Sequence, residues 1–493
     1  MFDIVIESTK VYCVKTIYNN MPTIYIVPMD GNLLIIIILI LLLSIVIYYY
    51  YSHCRTDNLN RRDLDISYLG KNELTIVDIL DMHKNNKAPF ITRIKSVGAP
   101  NQTICYKEFW IQSRMFAERL LKTVGPNSRV LLLCYTQIEW YIAFFGTMIA
   151  NGIVIVVDPG TTIERLNQII DNSKCDAVVL NNLDHLDGLD IDRLEVVLII
   201  NHPLEPNTRS NIIVYDHFLS GKYSDDHPNR IERTIALGKI HPEKIALIVY
   251  TNDEGDDNKI IKGVQLTHQN IICSIKNSLF LIINQSNITI TYDERFMSIY
   301  PQSAISVIMM SFAIPLAVSG HIYVYDNSID ILDIIHQVEP TILIASNGFW
   351  RKISNKIRER HTDPNGIVNQ MFINRMMIGK FGLDKIKYAI NLGNNMSDYD
   401  TKYFKDIGID VCNAYGFAET CGAISLSVPG CNKGAGIPLL DLSIDPQTSE
   451  INVRGGQVFV GYYGKKKIYK KNDWYATGKK GYIDRDGSLI LIQ

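Results

Sequence analysis

Three stretches of this sequence concentrate side chains able to do chemistry. In residues 246–270 (ALIVYTNDEGDDNKIIKGVQLTHQN) an apolar run leads through Thr251 to Asp253, Glu254, Gly255, Asp256 and Asp257, and then to Lys262 and Gly263. Residues 413–427 (NAYGFAETCGAISLS) set Tyr415, Gly416, Ala418, Glu419 and Thr420 together, and residues 473–492 (DWYATGKKGYIDRDGSLILI) carry Lys479. The acidic run lacks the spacing and closing Glu of a calcium-binding loop, so it reads as a solvated acidic surface. Nine cysteines occur with no C-x-x-C pair, which indicates neither a zinc site nor a disulfide framework. The histidines are scattered and define no metal cluster or Ser/His/Asp triad. With 49 Lys plus Arg against 51 Asp plus Glu, charge gives no reason to expect nucleic acid as a partner.

These three segments, in this order, resemble the signature segments of the adenylate-forming (AMP-binding) superfamily. The first is similar to its phosphate-binding segment, Thr-Ser-Gly-Thr-Thr-Gly-x-Pro-Lys-Gly-Val, and the Leu-Thr-His-x-Asn that follows. The second is similar to Tyr-Gly-x-Thr-Glu, and the third to Gly-Trp-x-x-Thr-Gly-Asp-x-Gly. Residues 134–162, 392–397, 434–444 and 450–463 extend the likeness over about residues 90–493. The Thr-Cys-Gly after Glu419, the Pro-Gly at 429–430 and an apolar N-terminal run are most similar to long-chain acyl-CoA synthetases.

The resemblance implies a fold and a chemistry. The fold would be the N-terminal domain of an adenylate-forming enzyme, two αβ subdomains plus a small β-barrel. The family reaction joins a long-chain fatty acid to ATP with Mg2+, and coenzyme A then displaces AMP. Glu419 would ligate magnesium, Tyr415 would stack on adenine with Gly416 allowing close approach, and Thr420 would supply a hydroxyl. Thr251, Gly255, Lys262 and Gly263 would be what remains of the phosphate segment.

Several substitutions run against that chemistry. A triphosphate cradle needs small residues and backbone N–H groups close to the anion, yet four carboxylates occupy this stretch. Ala418 replaces a threonine. Lys479 stands where the family has an aspartate that accepts both ribose hydroxyls, and an ammonium only donates. The family's small C-terminal domain, with its adenylating lysine, would follow the final strand, but the sequence ends at Gln493. The expectation is a catalytically impaired homologue. An active or partly active ligase, or a shortened sequence of an active ligase, are the alternatives. His268 reads as a structural helix start.

The elements that must position these residues follow from the apolar pattern. Strands are expected at 129–135, 153–157, 177–180, 196–200, 245–250, 296–300, 321–325, 341–345, 388–392 and 410–414, with helices at 138–152 and 163–173. This alternation predicts an α/β fold of parallel sheets covered by helices over 86–430. Short strands among glycines predict the β unit at 431–493. Residues 1–32 read as a tail and 52–85 as a polar stalk. Between them, residues 33–51 form an Ile/Leu run closed by four tyrosines. As a helix it is about 28 Å long, the thickness of a bilayer's hydrocarbon core. Arg55, Arg61 and Arg62 flank it closely, which predicts a single-pass anchor in an endomembrane such as the endoplasmic reticulum, with the large part cytosolic.

Overall fold

The computed structural model describes residues 2–7, 10–15 and 66–492, apart from 72, 96–99, 202–208, 221–238, 251–260, 286–288, 301, 326–329, 360–377, 394–395, 428, 430–436, 467 and 486. The expected anchor at 33–51 and the acidic run with Thr251 and Gly255 lie outside the described residues. Among the described residues no helix is long and apolar enough to cross a membrane. The chain divides into two units, Met1–Asp63 and Leu64–Gln493. In the first, Phe2–Glu7 pairs antiparallel with Lys10–Lys15.

The second unit is built on three sheets. An eight-stranded sheet centres on the parallel strands Arg129–Leu133, Ile153–Val156, Ala177–Leu180, Val196–Ile199 and Ile245–Tyr250. A nine-stranded sheet centres on Pro89–Ile94, Arg295–Ser298, His321–Tyr325, Ile342–Ser346, Tyr388–Leu392 and Val411–Phe417, also parallel. Side chains alternate across a strand, and the cores divide on that period. Val130 and Leu132 enter one cluster while Leu131 and Leu133 enter another. Phe296 and Met297 split in the same way. Buried on both faces, these strands carry apolar runs rather than a polar alternation.

The central cluster holds one face of each large sheet, which makes a five-layer stack of helices and sheets. Its middle layer contains Tyr106–Thr123, Ile138–Ile149 and the helical segment running from Ile305 to Ala317. Ile163–Ser173 covers the outer face of the eight-stranded sheet. Ile331–Val338, Asn347–Glu359 and Asp398–Asp406 cover that of the nine-stranded sheet.

Two expectations are corrected. The polar stretch expected to be a stalk as far as residue 85 is folded from residue 66 onward. Within it, Ile76–Met82 is a helix capped by a reciprocal Thr75–Asp78 box, and Ile76, Ile79 and Leu80 are buried in the central cluster. Its charges face outward and its i, i+3, i+4 residues inward. Among the described residues of 431–493 no barrel closes. Asp441–Ile444, Glu450–Arg454, Tyr475–Ile483 and Leu489–Ile492 form an open antiparallel sheet, while Gly461–Tyr462 and Ile437–Pro438 leave to edge the two large sheets. Sheet membership does not follow sequence order: Ile245–Tyr250 pairs in the eight-stranded sheet and Pro89–Ile94 in the nine-stranded one.

Candidate active site

Strand Val411–Phe417 leads directly into the turn that carries Glu419. It pairs antiparallel with Gly422–Leu426 through a bulge, where Tyr415 faces Ser425 and Gly416 faces Ala423. The two backbones pass so closely at Gly416 that a Cβ there would lie 2.0 Å from the Gly422 carbonyl oxygen. Only glycine fits. A Gly416→Ala variant is therefore expected to lose about 1–3 kcal/mol of stability by overpacking, measured as a lower urea midpoint at constant m. The chain then makes a short 3-10 turn, Ala418–Thr420, and reverses through Cys421 and Gly422, both at positive φ.

Within that turn the Glu419 carboxylate is half-buried. Its Oε1 accepts a hydrogen bond from the Tyr462 hydroxyl at 2.8 Å, and the Tyr475 hydroxyl lies 3.3 Å from that of Tyr462. Burial, then the neighbouring Tyr475 and Glu419 groups, raise the Tyr462 phenol far above its ordinary value, so it remains a donor. The Glu419 carbonyl also accepts from the Phe459 amide at 2.8 Å. Tyr415 is half-buried with its ring edge-on to Phe417, and burial pushes its phenol up to about 12.

The same tyrosine ties this turn to the Lys262 segment. Gly263–Thr267 pairs antiparallel with Ile245–Tyr250 on one side and with Gly461–Tyr462 on the other, placing Val264 opposite Tyr462. The Tyr463 amide donates to the Gly263 carbonyl at 2.8 Å. A Cβ on Gly263 would meet the Tyr250 ring and Ile248 at 2.9 Å, so any larger residue here would have to displace both side chains. Lys262 and Gly263 thus sit one strand away from the group that grips Glu419. A carboxylate, a lysine and a half-buried aromatic ring in this arrangement have the donor chemistry for a metal–polyphosphate.

Residues 82–463 match the family model for AMP-binding enzyme. The chain belongs to the AMP-binding enzyme family. Among curated relatives it is similar to the human long-chain-fatty-acid–CoA ligase ACSBG2, 20% identical over 451 residues, covering 80% of this chain and 65% of the relative. It is also similar to the long-chain-fatty-acid–CoA ligase heimdall of Drosophila melanogaster, 21% identical over 452 residues, covering 79% of this chain and 64% of the relative. The chain therefore spans less than two thirds of the length of these relatives. Among solved structures, an acyl-CoA synthetase from Brucella canis superposes with a TM-score of 0.69 at 14% identity, over 87% of this chain and 78% of that one. A long-chain-fatty-acid-CoA ligase from Archaeoglobus fulgidus superposes with a TM-score of 0.67 at 15% identity, over 85% and 84%. The fold is that of the N-terminal domain of adenylate-forming enzymes.

This AMP-binding family member departs from an expected residue role at Thr420. Thr420 was expected to offer a hydroxyl to the nucleotide. It is fully buried, and its Oγ1 accepts from the Phe417 amide at 3.2 Å and donates to the Gly422 carbonyl at 2.7 Å. A hydroxyl committed to closing a turn is not available to a phosphate. Ala418 is buried beside it. Lys479 lies where Tyr475–Ile483 bulges opposite Glu450 and Asn452, just after Gly478 at positive φ. Its side chain is exposed and its amide donates to the Thr477 hydroxyl at 3.1 Å.

That strand reaches the Glu419 turn through Tyr475. Tyr462 and Tyr475 both stand in family-like segments, but the sequence offers no signal for them beyond an aromatic ring with a polar tip. His268 is buried at the start of its helix, and burial brings its imidazole down to about 3, which suits a structural role. Around it, Thr267 and Asn270 cap each other, and the Asn270 amide donates to the Gly456 and Val458 carbonyls.

Proposed function

We propose that this chain is a membrane-anchored homologue of long-chain fatty acid–CoA ligases whose ATP-dependent adenylation is impaired. One observation carries the reading: Asp253, Glu254, Asp256 and Asp257 fill the stretch that in the family cradles the triphosphate. Two like charges about 4 Å apart repel by roughly 4 kcal/mol at an effective dielectric of about 20. Four such groups oppose a polyanion rather than hold it. Lys479 adds a second obstacle, since it cannot accept the ribose hydroxyls, and Thr420 offers no replacement for the hydroxyl missing at Ala418. The relatives' names supply the substrate class, a long-chain fatty acid with coenzyme A. The apolar run at 33–51 supplies the membrane, with the large unit on the cytosolic side of an endomembrane.

A second reading, a ligase with residual activity, is favoured by Tyr462, whose hydroxyl holds Glu419 while its strand pairs with the one that begins at Gly263. An assay of the full-length chain with ATP, magnesium, palmitate and coenzyme A separates the two. The expected result is AMP and palmitoyl-CoA formation no greater than that of a Glu419→Ala control. Turnover clearly above that control would establish the second reading. Calorimetry with magnesium-ATP is expected to show no saturable binding.

A further inference from the structure

A separate cavity of about 400 Å3 opens where strands from both large sheets end. On the eight-stranded side Gln137 follows Arg129–Leu133 and Asn181 follows Ala177–Leu180; on the other side Tyr300 follows Arg295–Ser298 and Tyr325 ends His321–Tyr325. These are carboxyl ends of parallel strands, the position at which open α/β sheets hold ligands, and the volume suits a small molecule. None of Lys262, Tyr415, Glu419 or Lys479 lines it.

What marks this cavity is three buried polar atoms. Gln137, Tyr141 and Gln302 line it and are 5%, 0% and 3% exposed. Gln137 accepts from Asn201 through Oε1 at 3.4 Å, and its Nε2 has no hydrogen-bond partner among the described residues. Gln302 donates through Nε2 to Ser311 at 2.6 Å, and its Oε1 has none. The bond at one end of each amide sets which atom the other end offers. The Tyr141 hydroxyl lies beside the Gln302 amide without forming an aligned hydrogen bond. Leaving a buried donor or acceptor unmet is unfavourable, so these atoms gain from a ligand that meets them. The lining carries Arg93 but no Asp, Glu, Lys or His. Burial raises the Tyr325 phenol to about 12 and the Tyr141 phenol further, so both remain protonated at neutral pH.

We propose that this cavity binds a small, uncharged planar molecule, an amide or lactam of nucleobase size. Its C=O would accept from Gln137 Nε2 and its N–H would donate to Gln302 Oε1. The tyrosine rings supply apolar area against its faces, and the Tyr141 hydroxyl can serve either edge atom. The lining shares no side chain with Lys262, Tyr415, Glu419 or Lys479.

Calorimetry on the full-length chain tests this with hypoxanthine, which carries an adjacent N–H and C=O, and with purine, which lacks that edge. Hypoxanthine is expected to bind saturably at one site, at least about tenfold more tightly than purine. Gln137→Met and Gln302→Met should each weaken it about tenfold, while Tyr415→Ala leaves it unchanged. The comparison of the two ligands on the unaltered protein does not depend on whether the variants fold. Absence of saturable binding, equal affinity for purine, loss of binding in Tyr415→Ala, or tighter binding of benzoate would each overturn the proposal.

Discussion

Phe312→Ala is expected to lower the unfolding free energy by about 3–5 kcal/mol, the range for emptying a buried aromatic site. Phe312 is fully buried in the π-helical turn Met309–Ala313. Its ring lies 4.4 Å from Tyr141, 5.3 Å from Phe145, 5.5 Å from Phe144, 6.3 Å from Trp140 and 6.4 Å from Phe90, centroid to centroid. Four of these partners sit on one helix between strands of the eight-stranded sheet, and Phe90 lies on a strand of the nine-stranded sheet. Truncation therefore empties the layer that both large sheets share, and neither sheet can close the gap without breaking its own packing. Urea unfolding should show a lower midpoint at unchanged m. Phe280→Ala, at a side chain 64% exposed, is the control and should stay within about 0.5 kcal/mol. A loss under about 1 kcal/mol at Phe312 would mean that the central layer collapses to fill the space.

The second large effect is electrostatic. Glu294 is fully buried, and its Oε1 accepts from the Thr291 amide at 2.8 Å, the Thr291 hydroxyl at 2.9 Å and the Lys387 ammonium at 2.6 Å. Lys387 is partly exposed, so it brings the compensating charge in from the surface. Glu294 and Lys387 each immediately precede a strand of the nine-stranded sheet, and Thr341 binds both starts through the Arg295 and Lys387 amides. Lys387→Met leaves a carboxylate in the interior with no opposing charge, which should cost about 3–5 kcal/mol. Removing both charges in Glu294→Leu/Lys387→Met should recover most of that loss, because the penalty lies in the unpaired charge rather than in the missing bond. A double-mutant cycle measures the coupling. Additive losses would show that the pair contributes no coupling.

Much of the framework could be read from local pattern. His321–Tyr325, Tyr388–Leu392, Ala177–Leu180 and Ile163–Ser173 have the limits expected from sequence. Short β-branched runs and an apolar face repeating near every fourth residue are local signals that no distant contact need supply. Pro89–Ile94 was not expected as a strand. It has one proline and one arginine among six residues, and it pairs with His321–Tyr325, more than two hundred residues away in the chain. Loop closure of that span leaves no trace in either segment.

The candidate site divides along the same line. Residue types at 415, 416, 419, 262 and 263 point to the candidate site through their likeness to family segments, and at Gly416 the close approach of two strands demands glycine. Whether Thr420 was available could not be read from its type, since a hydroxyl serves a turn and a phosphate equally well. The Tyr462–Glu419 bond joins residues 43 positions apart through a two-stranded register that only the assembled sheet defines.

Sequence alone determined the family, the strand and helix framework, and the run of four carboxylates between residues 253 and 257, since each depends on residue type and short spacing. Tertiary structure decided which strands share a sheet, that the C-terminal strands remain an open sheet, and which polar atoms are buried without partners. Those outcomes depend on which distant surfaces come to exclude water together, and no local stretch of chain encodes that by itself.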